Sequence, residues 1–285
     1  GVLRPPFFIS ILKNYKQLKE QCSIDYNSKV EFPPVAISKG WVDYQTINGS
    51  KRIELALGTY GNFSFVSAPP KTHKTYFVSL LASAYLGGSN QFVGDIKGHR
   101  NDECLIHFDT EQGKFHAQRV FRRVADMNTN ADLGCYETYV LRTIGYKTRV
   151  EFIDEILKNK KHQIGVVIID GIADLCSDVN NIVEANEVVQ KLMEWSAKYN
   201  CHIITVIHSN WGSEKPTGHL GSFMEKKSET QIQLERHPND KNVVHVKCKR
   251  TRGFPFKDFS FKINEFGLPD VIGEDYFNPF KNVDL

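Results

Sequence analysis

The 285-residue sequence holds no run of about 18 apolar residues, so no helix of it is expected to cross a membrane. Its start, Gly1-Val-Leu-Arg-Pro-Pro-Phe-Phe8, lacks the long apolar stretch and small-residue cleavage site of a signal peptide. Cysteine is sparse and scattered, at positions 22, 104, 135, 176, 201 and 248, with no CxxC pair. That spacing disfavours both a zinc site and a disulfide framework. It reads as free thiols, several inside apolar runs, in a reducing, cytoplasmic setting. No internal repeat or low-complexity tract appears. Charge of one sign is also lacking: 36 Lys and Arg face 33 Asp and Glu, a net of +3. Such a total permits nucleic-acid binding without implying it, because binding follows a local patch. The leading Gly1 in place of Met suggests a cleaved chain or an excised domain.

What is present is a globular composition, 41% apolar and 24% charged. The length fits one large α/β domain with extra elements, or two small domains. Residues 8–22 place Ile9, Leu12, Tyr15 and Leu18 at helical spacing, which predicts a short amphipathic helix. Glu31-Phe-Pro-Pro-Val35 reads as an extended linker, because proline biases its predecessor away from the helical region. Residues 35–58 look irregular or like a strand pair turning at Asn48-Gly49.

From residue 62 the pattern becomes regular. Strands are expected at 63–67, 103–109, 138–144, 165–170 and 201–208. Helices are expected at 74–85, 114–124, 149–159 and 182–199. The continuously apolar runs at 165–170 and 201–208 suit strands buried on both faces. Alternation of this kind argues for a mainly parallel sheet covered by helices on both sides. After residue 228 the alternation stops. Strands at 230–234, 243–248 and 259–263 without intervening helices predict an antiparallel finish.

Ala68-Pro-Pro-Lys-Thr-His-Lys-Thr75 follows the first of these strands and opens a helix. It matches G-x-x-x-x-G-K-[ST] except that Ala68 and His73 stand where glycines belong. In such a loop the backbone amides cradle phosphate oxygens and the Lys adds positive charge. The hydroxyl of the Ser or Thr holds Mg²⁺. Glycine suits the two positions because it adopts positive φ cheaply and lets the backbone approach a ligand. His73 must therefore keep a negative φ or accept strain. A chance Lys-Thr pair at a helix start is the plain alternative.

Gly165-Val-Val-Ile-Ile-Asp170 is an apolar strand ending in a carboxylate, the form of a segment that orients a magnesium-bound water. Asp also suits strand exits for local reasons. Asp174, one turn on, is a weaker candidate. Phe108-Asp-Thr-Glu111 puts a Glu at the carboxyl end of the strand after the phosphate-loop helix, where ligands of such sheets bind and a general base can act on water. His208 ends the strand after the Asp170 strand; it suits sensing of a terminal phosphate, and, as a lone residue, a structural role even more. The glycine-rich, polar stretch 209–222 reads as a functional mobile loop. Lys247-Cys-Lys-Arg-Thr-Arg-Gly253 holds four positive charges in seven residues. It suits an arginine finger, a nucleic-acid backbone or a solvated strand end.

These five pieces, in this order, resemble the RecA-like ATPase core of RecA recombinases and of DnaB- and RepA-type hexameric helicases. The resemblance covers roughly residues 55–265. It implies an α/β RecA-like P-loop NTPase fold: a central, mainly parallel twisted sheet flanked by helices, with antiparallel strands at the C-terminal end. Gly61-Asn-Phe-Ser64 and Lys71-Thr-His-Lys-Thr75 look like the RepA-like variant of mobile-element and primase–helicase proteins, whose loop also lacks the second glycine. Ala68 departs even from that variant.

By the resemblance, residues 68–75 (Ala68, Pro69, Pro70, Lys71, Thr72, His73, Lys74, Thr75) hold ATP, and Thr75 and Asp170 hold Mg²⁺. Glu111 is the catalytic carboxylate and His208 the γ-phosphate sensor. Arg250 or Arg252 is the finger, with Arg252 preferred because it precedes Gly253. Loop 209–222 looks like the DNA-facing loop, with Lys215, Thr217, His219 and Ser222 toward the strand. The organisation implied is an N-terminal helix and extended arm at 1–55, an ATPase domain at 56–270 and a tail at 271–285. Partners implied are single-stranded DNA and further copies of the chain in a ring or hexamer. The activity implied is a Mg²⁺-dependent ATPase motor, a helicase or translocase serving replication or mobilisation of a mobile element. A non-hydrolysing nucleotide- or DNA-binding module on the same fold is the rival.

Overall fold

The segments expected to be buried on both faces lie in the middle of a nine-stranded sheet. The computed structural model describes residues 15–20, 22–47, 49–128, 133–210 and 213–273. Chain contacts divide it into two compact units, residues 1–33 and 34–285. Residues 15–20 of the first unit are helical, with Tyr15 and Leu18 exposed; the rest of the expected helix, 8–14 and 21, lies outside the described residues.

The second unit opens with β1 (Val35–Thr46) and β2 (Gly49–Thr59), the expected strand pair. Residue 48 of its turn signal lies outside the described residues. Then follow β3 (Phe63–Ala68), α1 (Lys74–Tyr85), α2 (Asn90–Val93), β4 (Ile96–Gly98), β5 (Cys104–Asp109) and α3 (Lys114–Asp126). Next come β6 (Tyr136–Val140), α4 (Tyr146–Lys158), β7 (Ile164–Asp170), α5 (Ile182–Lys198) and β8 (His202–His208). The described residues finish with α6 (Gly218–Lys227), β9 (Thr230–Arg236), β10 (Val243–Thr251), β11 (Phe259–Ile263) and β12 (Pro269–Ile272).

The large sheet runs β12-β11-β10-β9-β3-β8-β7-β5-β6, and β2-β1-β4 form a small antiparallel sheet. From β9 to β6 every pairing is parallel, and from β9 to β12 every pairing is antiparallel. The fold class is therefore as the sequence predicts.

Alternate residues of a strand point to opposite faces. Val66, Val166, Ile168, Ile204 and Val206 accordingly enter one core with α1. Phe65, Val167, Ile169, Ile203 and Ile207 enter the other, with Trp195 of α5 and Leu220 of α6. This two-sided burial is why the central strands read as unbroken apolar runs. Helix α5 starts where Asn181 accepts hydrogen bonds from the amides of Val183 (3.1 Å) and Glu184 (3.3 Å), satisfying donors that have no partner inside the helix. It buries Ala185, Val188, Val189, Leu192 and Trp195, one stripe at helical spacing.

Two expectations shift. The strand placed at 138–144 is β6, and it stops at Val140. The Leu141 amide donates to the Asp109 carbonyl (2.8 Å), and Ile144 turns back to donate to Leu141 (3.2 Å). The apolar residues past Val140 thus serve a turn into the second core, which periodicity cannot distinguish from a strand. The stretch 209–222, whose positions 211 and 212 lie outside the described residues, is not one open loop. Its start closes on itself through a Ser209–Pro216 bridge and an Asn210 amide to Lys215 carbonyl bond of 2.9 Å. From Gly218 it is helix α6. Gly221 looks like loop chemistry, yet a Cβ there would come within 2.6 Å of Pro216, so the glycine serves close packing.

Candidate functional site

Register decides which strand ends meet. Ala68 of β3 lies beside His208 of β8, Asp170 of β7 beside Val206, and Asp109 of β5 beside Asp170. Four parallel strands therefore finish together, and the side chains just past their carboxyl ends converge, as ligand sites of such sheets require. The resulting cavity, about 390 Å³, is lined by Lys71–Tyr76, Glu111, Gln112, His116, Arg119, Val120, Arg123, Asp170 and His208.

The loop 69–73 curls over the amino end of α1. Both Lys71 (φ 63°) and His73 (φ 58°, ψ 30°) are left-handed. The concave backbone is thus built without glycine, with non-glycine residues in the strained conformation at a cost of roughly 1–2 kcal/mol each. Histidine is among the residues that visit this region more often than most. Thr72 Oγ1 donates to the Pro69 carbonyl (2.8 Å) and braces the curl.

Lys74 is buried beneath the loop. Its Nζ donates to the Pro69 carbonyl (3.1 Å) and to His208 Nδ1 (3.0 Å). Burial pulls the Lys74 ammonium below its ordinary pKa, while Glu111 and Asp170 act the other way. Because an ammonium only donates, His208 Nδ1 accepts, and the ring proton sits on Nε2. That Nε2 lies 3.7 Å from Glu111 Oε1. Burial, and then Lys74, depress the His208 pKa, which keeps the ring neutral at pH 7.

Glu111 is held by its surroundings. The Asp109 Oδ1 atom accepts from the amides of Glu111 (3.1 Å) and Gln112 (2.8 Å), folding the turn that carries the carboxylate. Gly171 (φ 105°) lies so close that a Cβ would come within 2.3 Å of Thr110 Oγ1 and 2.8 Å of Glu111 Cγ. Burial, then Asp174, push the Glu111 pKa up, making it the stronger base.

Asp170 is nearly enclosed. The Thr75 hydroxyl donates to its carboxylate, while its Oδ2 is buried with no partner. An orphaned buried carboxylate oxygen is costly unless something binds it. A hydroxyl and a carboxylate oxygen suit Mg²⁺, which keeps several waters and completes its shell with phosphate oxygens. Thr75 and Asp170 therefore fit this ion.

Burial, with Asp109 and Glu111 nearby, raises the Asp170 pKa to about 7. The unfolded value is roughly 3.9. Between the two the folded state binds more protons, so this group's contribution to stability falls as pH rises through that window. Without nucleotide or Mg²⁺, Asp170→Asn is expected to raise Tm at pH 8 by roughly 2–5 °C, with the gap narrowing toward pH 5. Thermal unfolding at the two pH values checks this, and equal Tm at pH 8 would refute it.

Sequence reasoning missed one wall of the site. His116, Arg119 and Arg123 line the cavity from α3, at i, i+3 and i+7. Arg123 lies over the Tyr76 ring at 3.7 Å and its Nη1 donates to Ser79 Oγ (3.1 Å). The signal was legible as a basic face on the helix that follows Glu111. Arg149 was also missed: it donates to the carbonyls of Leu141 (3.1 Å) and Asp174 (2.7 Å), pinning the turn after β7.

Other candidates lie apart from this cavity. Lys215, Thr217, His219 and Ser222 line a second one of about 370 Å³ with Asn180, Asn210 and Glu225. The two are linked through His208, whose carbonyl accepts from the Thr217 hydroxyl (2.8 Å) and amide (2.9 Å). Arg252 Nη2 donates to the Lys227 carbonyl (3.1 Å), and Arg250 Nη2 lies 3.8 Å from Glu225. Neither arginine lines the first cavity. Among the described residues, no helix is long and apolar enough to cross a membrane.

A family model described as an AAA domain, AAA_25, matches residues 51–214, more than half of the chain. None of the curated proteins matches the sequence. Among solved structures, the RadB recombinase is similar with a TM-score of 0.51 and 16% identity, covering 75% of this chain and 91% of that one. At that identity the likeness speaks for the fold alone, which is RecA-like.

Proposed function

Since the chain belongs to this AAA-domain family and has a RecA-like fold, we propose that it is a Mg²⁺-dependent ATPase motor acting on single-stranded DNA. The observation that supports this reading most is the meeting of Lys74, Thr75, Glu111, Asp170 and His208 around one cavity at the ends of four parallel strands.

The backbone amides of residues 71–74, since Pro69 and Pro70 have none to donate, and the Lys74 ammonium bind the phosphates. Thr75 and Asp170 hold Mg²⁺, which supplies charge neutralisation on the phosphate oxygens. Glu111 orients the attacking water and accepts its proton. His208 touches both Lys74 and Glu111, so a terminal phosphate that draws Lys74 away changes its hydrogen bonding. Its carbonyl holds Thr217, which carries that change to the cavity of Lys215, His219 and Ser222, the surface for DNA. Arg252, or Arg250, completes the site of a neighbouring copy, which requires a ring or other homo-oligomer.

Within this reading the chain serves as a helicase or translocase of the RepA and DnaB kind, for replication or mobilisation of a mobile element. ATP turnover measured with and without single-stranded DNA tests it. Stimulation of several-fold or more is expected. A flat response favours the second reading, a module that binds nucleotide without hydrolysing it. The strained, glycine-free loop is the observation on that side.

A further inference from the structure

Resting on the reading of residues 68–75 as a phosphate loop, we infer that His73 is a positioning residue. Its imidazole ties the loop to the β9–β10 turn and holds the left-handed backbone that glycine would otherwise supply.

His73 occupies the position before Lys74 with φ 58° and ψ 30°. Glycine reaches this conformation without help, whereas a side chain persists there only when its surroundings fix it. The surroundings do so from two sides. His73 Nε2 lies 3.0 Å from the Lys241 carbonyl, 168 residues away in sequence. The ring also packs edge-on against Tyr76, with centroids 5.4 Å apart, and Arg123 covers that tyrosine. A carbonyl only accepts, so Nε2 carries the proton. Burial, with Arg236 and Arg123 nearby, holds the ring below its ordinary pKa, which favours this neutral donor.

The anchor is itself rigid. His237 Nδ1 accepts from the amides of Asn239 (3.2 Å) and Asp240 (3.1 Å). Asp240 Oδ1 accepts from the Asn242 amide (2.9 Å), and Asp240 Oδ2 pairs with Lys262 of β11 (3.4 Å). The Lys241 carbonyl is therefore presented by a turn braced across three antiparallel strands. Two residues later β10 begins, the strand that ends at Arg250 and Thr251. Ordering of the phosphate loop and of this C-terminal half of the sheet is in consequence one event, and the tether pre-organises the loop for its ligand.

His73→Gly separates this account from backbone preference alone. Glycine removes the strain and the tether together. Preference alone predicts tighter nucleotide binding; the tether predicts weaker binding. His73→Gln keeps an N–H donor the same number of bonds from Cα. In the nucleotide-free protein, hydrogen exchange is expected to speed up in His73→Gly at 68–75 and at 237–243, with α5 unchanged as the internal reference. In ATP turnover, KM is expected to rise about three- to tenfold, with kcat changing by less. His73→Gln is expected to recover most of both. Unchanged exchange at 237–243, or a KM equal to or below the parent's, overturns the proposal. A parent protein that neither binds nor turns over ATP sinks the nucleotide-site reading instead, and the exchange measurement, which needs no ligand, still decides the tether.

Discussion

Replacing Lys74 with alanine is expected to abolish ATP turnover and nucleotide binding while leaving the fold intact. Lys74 is the buried cation of the cavity, and it faces the carboxylates of Glu111 and Asp170. Without it, phosphate charge would meet the carboxylates of Glu111 and Asp170 with one fewer cation to offset them. The electrostatic loss is large, on the order of 10²–10³ in rate or more. The structural cost is smaller. Burial already disfavours the Lys74 ammonium. Removing it frees the Pro69 carbonyl and His208 Nδ1, both beside an open cavity that water can enter. A Tm within a few degrees of the parent's, together with absent turnover, is the expected pair of results. Undiminished turnover would contradict the assignment of residues 68–75.

The second large effect is expected at Glu111. Glu111→Gln keeps the shape and removes the base, so kcat should fall by about 10²–10⁴. Nucleotide affinity should persist or increase, because one negative charge leaves the cavity. The raised pKa of Glu111 adds a pH signature. The carboxylate is the active form, so kcat of the parent should decline as pH falls through a value above the ordinary glutamate range. The residual activity of Glu111→Gln should lack that limb. Steady-state kinetics from pH 5 to 8 checks both statements. A Glu111→Gln protein with the parent's kcat would remove this residue from the mechanism.

Much of this arrangement was legible in the sequence, for a physical reason. Strands buried on both faces must be apolar throughout, so 164–170 and 202–208 announce the sheet, and their last residues, Asp170 and His208, mark its carboxyl edge. Lys74 and Glu111 follow from the same logic, since each comes just after a strand that enters that edge. What was not legible depends on contacts between distant segments. The left-handed φ of His73 is set by the Lys241 carbonyl and Tyr76, which no local pattern around residue 73 contains. The closure of Ser209 on Pro216 goes with Thr217 bonding the His208 carbonyl, contacts no local pattern shows, so a stretch rich in glycine and polar residues read as open loop. Strand β6 was misplaced because it is an edge strand with half-buried positions, where alternation is weak. Helix α3 was found as a helix, but the cavity-lining position of Arg119 and Arg123 needs the fold to be seen.

The missing glycines of the loop also acquire a different meaning. Of the two positions, residue 73 keeps the left-handed φ that glycine ordinarily permits, whereas Ala68 is not left-handed, so only one of the two replacements holds a strained backbone.

Calorimetric titration of a non-hydrolysable ATP analogue into the parent protein and Lys74→Ala, with and without Mg²⁺, tests the central claim most directly. The account predicts one site per chain in the parent, strengthened by Mg²⁺, and no heat of binding in Lys74→Ala. Absence of binding in the parent with Mg²⁺, or equal binding in the two proteins, would contradict it.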